Sequence, residues 1–152
     1  MQTLRKAQAG FTLVEIIVVA ALIAIIASVI MYGFSNYAGF QQYNSAVSDV
    51  SFLLKQSNMR ARSAEGDSSY GVKFTSNSLT QFVGDAYSAA DPDNETTTYE
   101  LITFNLELTG GTDEIIFNKL TGLPSATGTI EVNGVHFTAS TTIEVTEAGV
   151  IQ

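Results

Sequence analysis

Residues 11–27 read FTLVEIIVVAALIAIIA, and predominantly apolar residues continue to Phe34. A run of this length can span a bilayer, which requires about 20 apolar residues in a helix. Glu15 is the one charged side chain between Phe11 and Phe34. A carboxylate costs roughly 2.5–3.5 kcal/mol near the centre of a membrane helix and less near its end. The sequence therefore predicts a membrane-length helix in which Glu15 has a partner.

The ten residues before this run are short, basic and end in a small residue. They contain Arg5 and Lys6, no acid, and Gly10 at the junction. The positive-inside bias places this end in the cytoplasm and everything after Phe34 outside. Two simpler interpretations are a signal peptide that is removed whole and a plain uncleaved anchor. The first requires a cut after the apolar run, where Gly33-Phe34-Ser35 is a poor site, and neither accounts for Glu15.

The junction Ala9-Gly10 followed by Phe11-Thr12-Leu13-Val14-Glu15 resembles the leader and mature N-terminus of type IV pilins and type II secretion pseudopilins. The resemblance covers about the first 35 residues. It implies that a prepilin peptidase cuts between Gly10 and Phe11 and N-methylates Phe11. It also implies that the apolar helix first anchors the chain in the membrane and later packs in the centre of a helical filament.

The same resemblance assigns domains, partners and locations. It implies a leader at residues 1–10, a transmembrane and filament-core helix at 11–34, and a globular domain at 35–152. The implied partners are other pilin subunits, the prepilin peptidase, and an inner-membrane assembly platform with its ATPase. The chain would be single-pass in the cytoplasmic membrane and then join an extracellular pilus or a periplasmic pseudopilus. Glu15 would pair with the Phe11 amine of a neighbouring subunit.

Charge and composition bear on what the chain binds and on which kind of pilin it resembles. The net charge is −8, and removing Arg5 and Lys6 leaves five basic side chains against 15 acidic ones. Such a surface opposes nucleic-acid binding, which relies on cations that neutralise phosphates.

The chain has no Cys, so the C-terminal disulfide of many type IV pilins is absent and packing must hold that region. Major pilins often carry a Pro in the apolar helix; its absence here fits pseudopilins or minor pilins better.

Periodicity predicts an α+β fold. Helical spacing of apolar residues continues to about Ala64, so we expect one helix from about Phe11 to Ala64, ending near Gly66. An antiparallel sheet or small β-sandwich follows, in which Asn133-Gly134 is the clearest hairpin signal. The expected strands are Tyr70–Thr75, Leu79–Gly84, Thr98–Leu108, Glu114–Asn118, Gly128–Asn133, Gly134–Ala139, Thr142–Thr146 and Gly149–Gln152.

The second half faintly resembles minor pseudopilins and minor pilins, through Glu114-Ile-Ile-Phe-Asn118 and the closing hairpin from Ile143 to Ile151. Some members of that group bind DNA through basic residues near a C-terminal Gly. Here Gly149 is followed by Val150, Ile151 and Gln152, which carry no cation. A minor tip or DNA-uptake subunit, acting as a binding module, stays open as the alternative to a main structural subunit.

Few residues suggest a metal site or a catalytic site. Asp91, Asp93 and Glu95 offer oxygen ligands for Ca²⁺, but the segment lacks the glycine and the glutamate spacing of an EF-hand, which favours a solvated acidic loop. His136 is the only histidine, and without Cys a zinc site is not expected. No nucleophile elbow, P-loop or dinucleotide motif is present. The sequence predicts a structural protein without catalytic residues or cofactors.

Overall fold

The computed structural model of the chain describes residues 11–135 and 137–152; for residues 32–36 it describes the backbone alone. The predicted leader, including Gly10, lies outside the described residues, and so does His136. The described chain divides into two compact units, the first ending at Tyr37 and the second comprising Ala38–Gln152.

One helix, α1, comprises Leu13–Arg62 and belongs to both units. Its 50 residues confirm the predicted helix to within two residues at each end. Arg60 and Arg62 lie in the last turn, where cations interact favourably with the helix dipole. The helix then stops because Ala64 and Gly66 adopt left-handed φ angles of 52° and 60°.

In the second unit α1 is amphipathic. Its buried side chains recur at intervals of three and four residues, as expected for a helix with one face in the core. They are Tyr43, Ala46, Val50, Leu54, Ser57 and Ala61. The confirmed fold class is α+β, with this helix packed on antiparallel strands.

The strands form two antiparallel sheets. Their bounds are β1 Tyr70–Phe74, β2 Ser78–Val83, β3 Glu95–Thr98, β4 Ile102–Leu108, β5 Glu114–Phe117, β6 Gly128–Gly134 and β7 Ser140–Val145. The four-stranded sheet has the order β3-β2-β1-β5, and the three-stranded sheet has the order β4-β6-β7. Short 3-10 turns lie at Glu65–Asp67 and Thr109–Gly111.

The prediction of a single strand at Thr98–Leu108 was wrong. The chain leaves one sheet after Thr98 and enters the other at Ile102, so β3 and β4 belong to different sheets. Long-range hydrogen bonds hold the break: the Tyr99 amide donates to the Asn77 carbonyl, and the Leu101 amide donates to the Gln42 side chain of α1. Neither partner is close in sequence, so a local pattern could not reveal the break.

Of the strand predicted at Gly134–Ala139, only Gly134 lies in a strand among the described residues. Strand β6 continues through Gly134, which pairs with Ile102, and β7 starts at Ser140, which pairs with Asn133. The predicted hairpin therefore exists, but its turn lies further along the chain. The predicted last strand, Gly149–Gln152, is reduced to one bridge between Ile151 and Val145.

A single core joins α1 to both sheets of the second unit. Its largest fully buried side chains are Phe74, Phe117, Leu54, Leu79, Ile102, Ile115 and Ile130. Polar contacts fix the helix on each sheet: Gln81 of β2 donates to Ser57, and the Tyr43 hydroxyl lies 2.6 Å from the Thr141 hydroxyl of β7. The inner faces of the two sheets thus pack on the same side of α1.

Candidate functional site

The start of α1 is capped by a side chain. The Glu15 amide donates a 3.2 Å hydrogen bond to Thr12 Oγ1, and the Ile16 amide donates to the Thr12 carbonyl at 3.3 Å. A threonine in this position satisfies one of the four amides that have no partner inside a helix. Thr12 followed three residues later by Glu15 is the capping-box spacing. Thr12 is therefore the cap, and the helix begins at Leu13.

Glu15 occupies the first turn of this helix and is exposed. A negative charge there interacts favourably with the helix dipole. Within residues 11–135 and 137–152, no cation lies within ion-pair distance of Glu15. The carboxylate is thus positioned by the cap, and its charge is available to a group from outside the described chain.

The residues after Glu15 are apolar on all sides. Leu13–Met31 has a mean hydropathy of 3.0, and none of it is buried within the protein. By length and composition, this is a helix that could cross a membrane. Its polar Ser28 hydroxyl donates to the Ile25 carbonyl at 2.7 Å, so it is satisfied inside the helix. So large an apolar surface requires lipid or other helices around it.

The acidic segment considered for calcium does not gather its carboxylates. Asp91 Oδ1 accepts a 3.0 Å hydrogen bond from the Asp93 amide, which closes a local turn. Glu95 lies in β3, opposite Gln81. In the part of the chain that the structure describes, no three His, Cys, Asp or Glu side chains are placed to hold a metal ion.

Comparisons with known proteins match the same N-terminal region. The family model for the prokaryotic N-terminal methylation motif matches residues 5–31. Two fimbrial proteins of Pseudomonas aeruginosa are each 31% identical to this chain over 105 residues, which cover 64% of the chain and 68% of each relative. The chain belongs to the type IV pilin family. No solved structure gives a significant match.

The protein is a structural pilus subunit. Membership of the family implies that this pilin assembles with other pilin subunits and is a substrate of the prepilin peptidase. The apolar helix is consistent with membrane anchoring. The comparisons give no specific support to the alternative role as a tip or DNA-uptake subunit.

Sequence reasoning missed the cap at Thr12, although the signal was present. The spacing Thr12-x-x-Glu15 directly before an apolar run is a sequence signature of a helix start. In this pilin the Glu15 amide is part of the cap. Any test of the charge must therefore preserve the cap.

The C-terminal region of the pilin is closed without a disulfide, as the lack of Cys requires. Glu144 and Gln152 exchange two backbone hydrogen bonds of 2.8 and 3.1 Å. Asn58 of α1 donates a 2.7 Å hydrogen bond to the Gly122 carbonyl, beside Gly149. The closing turn is thus tied to β7 and lies beside a loop that is tied to the helix.

Among the residues that the structure describes, three cations of the pilin are engaged in ion pairs. Arg60 pairs with Glu65 at 2.9 Å, Lys73 with Asp113 at 2.6 Å, and Lys119 with Asp67 at 2.9 Å. A hydrogen bond from the cation lowers the carboxyl pKa of Glu65, Asp113 and Asp67. Lys55 and Arg62 form no ion pair within the described residues and are exposed.

Proposed function

We propose that this pilin is cut between Gly10 and Phe11, is methylated at Phe11, and enters a filament in which Glu15 pairs with the Phe11 amine of a neighbouring subunit. The observation that carries the proposal is a carboxylate in the first turn of an unburied apolar helix, with no cationic partner among the described residues. Cleavage at this point creates a cationic amine four residues before Glu15.

Pairing has a favourable balance of energies. Two unit charges 4 Å apart attract by about 4 kcal/mol at an effective dielectric constant near 20. Desolvation of both groups offsets part of this attraction. An unpaired Glu15 in lipid has no such compensation, so transfer from the membrane to the filament is favoured. The pairing also sets the axial offset between neighbouring subunits.

The position in the membrane follows from the same helix. Arg5 and Lys6 hold the leader in the cytoplasm, and the domain after the helix lies outside the cytoplasmic membrane. The energy for extracting the helix comes from partners at the inner-membrane assembly platform, including its ATPase. The product is an extracellular pilus or a periplasmic pseudopilus.

The test of the pairing is Glu15→Gln. Glutamine retains the capping-box geometry at this position, so the variant removes the charge and keeps the helix start. We expect normal membrane levels and a strong loss of sheared fibres. Glu15→Asp, which retains the charge on a shorter side chain, is the matched control and should assemble better. Fibre yields of Glu15→Gln equal to wild type would refute the pairing.

The test of the processing site is the intact mass of the native pilin. We expect a chain that begins at Phe11 and carries one added methyl group. Gly10→Val should block the cut and leave a larger band in the membrane fraction, whereas Ala9→Val alters the neighbouring position and should be processed. A native product that retains Met1 would overturn the assignment.

A further inference from the structure

The exposed side of α1 in the second unit carries two cations that alternate with two large apolar side chains. Phe52, Lys55, Met59 and Arg62 follow one another at spacings of three, four and three residues, so they share one side of the helix. We name these four residues the helix stripe. Phe52 and Met59 are 59% and 67% exposed, which is high for apolar side chains on a folded domain.

The outer side of the three-stranded sheet is acidic. Cross-strand pairing aligns Asn105 with Glu131 and Thr142, and aligns Glu107 with Thr129 and Glu144. Paired residues share a face of the sheet, and so do residues two apart on a strand. These six residues, which we name the acidic face, are exposed or half-buried, whereas Phe104, Ile130 and Ile143 on the other face are buried.

The acidic face is partly ordered and has no counter-ion in the described chain. Ser140 and Asn105 donate hydrogen bonds of 2.9 and 3.4 Å to the two carboxylate oxygens of Glu131. Glu107, Glu131 and Glu144 form no ion pair with any described residue. Like charges on one face repel each other, so a cationic partner would stabilise the face.

The helix stripe and the acidic face point to opposite sides of the second unit. Tyr43, on the buried side of α1, contacts Thr141, which lies on the inner face of β7 with Ile143 and Val145. The helix therefore packs on the face of the sheet opposite to the acidic one. The two surfaces cannot meet within one chain, but they can meet between two copies.

We propose that the helix stripe of one pilin docks on the acidic face of a second copy. Lys55 and Arg62 pair with Glu107 and Glu144, while the adjacent Phe52 and Met59 lose contact with water. Such an interface joins two different surfaces, and heterologous contacts that do not close into a ring generate open helical filaments. This inference rests on the filament assembly proposed above and adds a contact between globular domains that is separate from Glu15.

Charge reversal tests the interface in the full-length pilin. Lys55→Glu with Arg62→Glu should reduce sheared fibres roughly tenfold, because the lost contact is repeated at every subunit along the fibre. Glu107→Lys with Glu144→Lys should have the same effect. Combining all four changes restores opposite charges and should recover fibres. Asp85→Lys with Glu100→Lys, at exposed sites outside both surfaces, is the matched control and should assemble normally.

Cross-linking provides an independent readout, because the chain has no Cys of its own. Lys55→Cys with Glu107→Cys, treated with a short bis-maleimide linker, should form a ladder of cross-linked pilins in sheared fibres. The linker is needed because a Lys–Glu ion pair holds its Cα atoms farther apart than the roughly 7 Å that a disulfide requires, and a link within one domain adds no step to the ladder. Asp85→Cys with Glu107→Cys should give no ladder.

The outcomes separate this interface from the pairing at Glu15. Wild-type fibre yields in both reversal variants, or no ladder with Lys55→Cys and Glu107→Cys, would overturn the interface even if Glu15→Gln blocks assembly. Normal assembly of Glu15→Gln would instead refute the proposed pairing. The charge-reversal variants would still decide whether the interface exists. Immunoblots of membrane fractions, before and after limited proteolysis, check that every variant accumulates as folded pilin.

Discussion

Gln81 Nε2 donates a 2.9 Å hydrogen bond to Ser57 Oγ, and both side chains are buried between α1 and β2. Buried polar groups are costly unless they are paired, so this contact fixes the helix on the four-stranded sheet in one position. It is also a polar interruption of an otherwise apolar helix face. The contact makes the stability of the domain sensitive to either partner.

Ser57→Ala should destabilise the domain because it leaves the Gln81 amide without its partner. We expect a loss of about 1–3 kcal/mol in the free energy of unfolding. The measurement is urea unfolding of the detergent-solubilised pilin. Gln81→Leu in the Ser57→Ala background removes the unsatisfied group and should cost less than the sum of the two single changes. Strict additivity would contradict the pairing.

Gly71→Ala should destabilise the four-stranded sheet through a steric clash. A Cβ at this position would lie 2.3 Å from Phe82 Cζ, and the Phe82 side chain is buried. Overpacking of this kind costs about 1–3 kcal/mol, measured as a lower midpoint in urea. Phe82→Leu should relieve part of the loss in a double variant. Equal stability of Gly71→Ala and wild type would show that the ring can shift freely.

The sequence reveals those features of the fold that depend on local periodicity. The apolar run and the stripe from Tyr43 to Ala61 predict α1, and strand alternation predicts most of β1, β2, β5 and β6. The failures occur where a tertiary contact, rather than periodicity, decides the backbone course. Gly134 was read as a turn glycine, but Phe137 packs against it, and a Cβ there would lie 2.6 Å from the ring.

The candidate sites divide in the same way. Glu15 could be found from the sequence because one charge within an apolar run is conspicuous. The acidic face could not, because Glu107, Thr129 and Glu144 become neighbours only through the register of three strands. The helix stripe has a helical period, but its lack of ion-pair partners is known only from the fold.

Tyr99 should make the pilin unstable at alkaline pH. Burial, reinforced by the 2.6 Å hydrogen bond that its hydroxyl donates to Asp49, raises the pKa of Tyr99 above its ordinary value. The unfolded chain ionises near pH 10, whereas the folded chain keeps the proton. The stability contributed by Tyr99 is therefore complete below about pH 10 and is lost as the pH rises above that value. Tyr99→Phe should flatten this dependence in melting curves taken from pH 8 to 11; an unchanged slope would exclude the assignment.

Gly149→Ala should loosen the C-terminal closure. The residue has a φ of 73°, and a Cβ would lie 2.8 Å from both Asn58 Nδ2 and the Gly122 carbonyl oxygen. Gly110→Ala is the matched control, because Gly110 has a φ of 82° but nothing within 4 Å of its Cβ. Left-handed strain costs about 1–3 kcal/mol in either case, and crowding adds to it only at Gly149. We expect faster carboxypeptidase digestion of Gly149→Ala than of Gly110→Ala; equal rates would argue against the contact with Asn58.

Thr12→Ala should fray the start of α1 without removing the charge of Glu15. The Glu15 amide loses its 3.2 Å partner, and a lost N-cap costs about 1 kcal/mol. Amide hydrogen exchange at Glu15, measured by NMR in detergent micelles, should accelerate about fivefold. Thr12→Ser retains the capping oxygen and should exchange as wild type does.

Because the carboxylate remains, Thr12→Ala should assemble into fibres better than Glu15→Gln. Unchanged exchange in Thr12→Ala would show that Thr12 does not cap the helix, and fibre loss equal to that of Glu15→Gln would show that the position of the carboxylate matters as much as its charge.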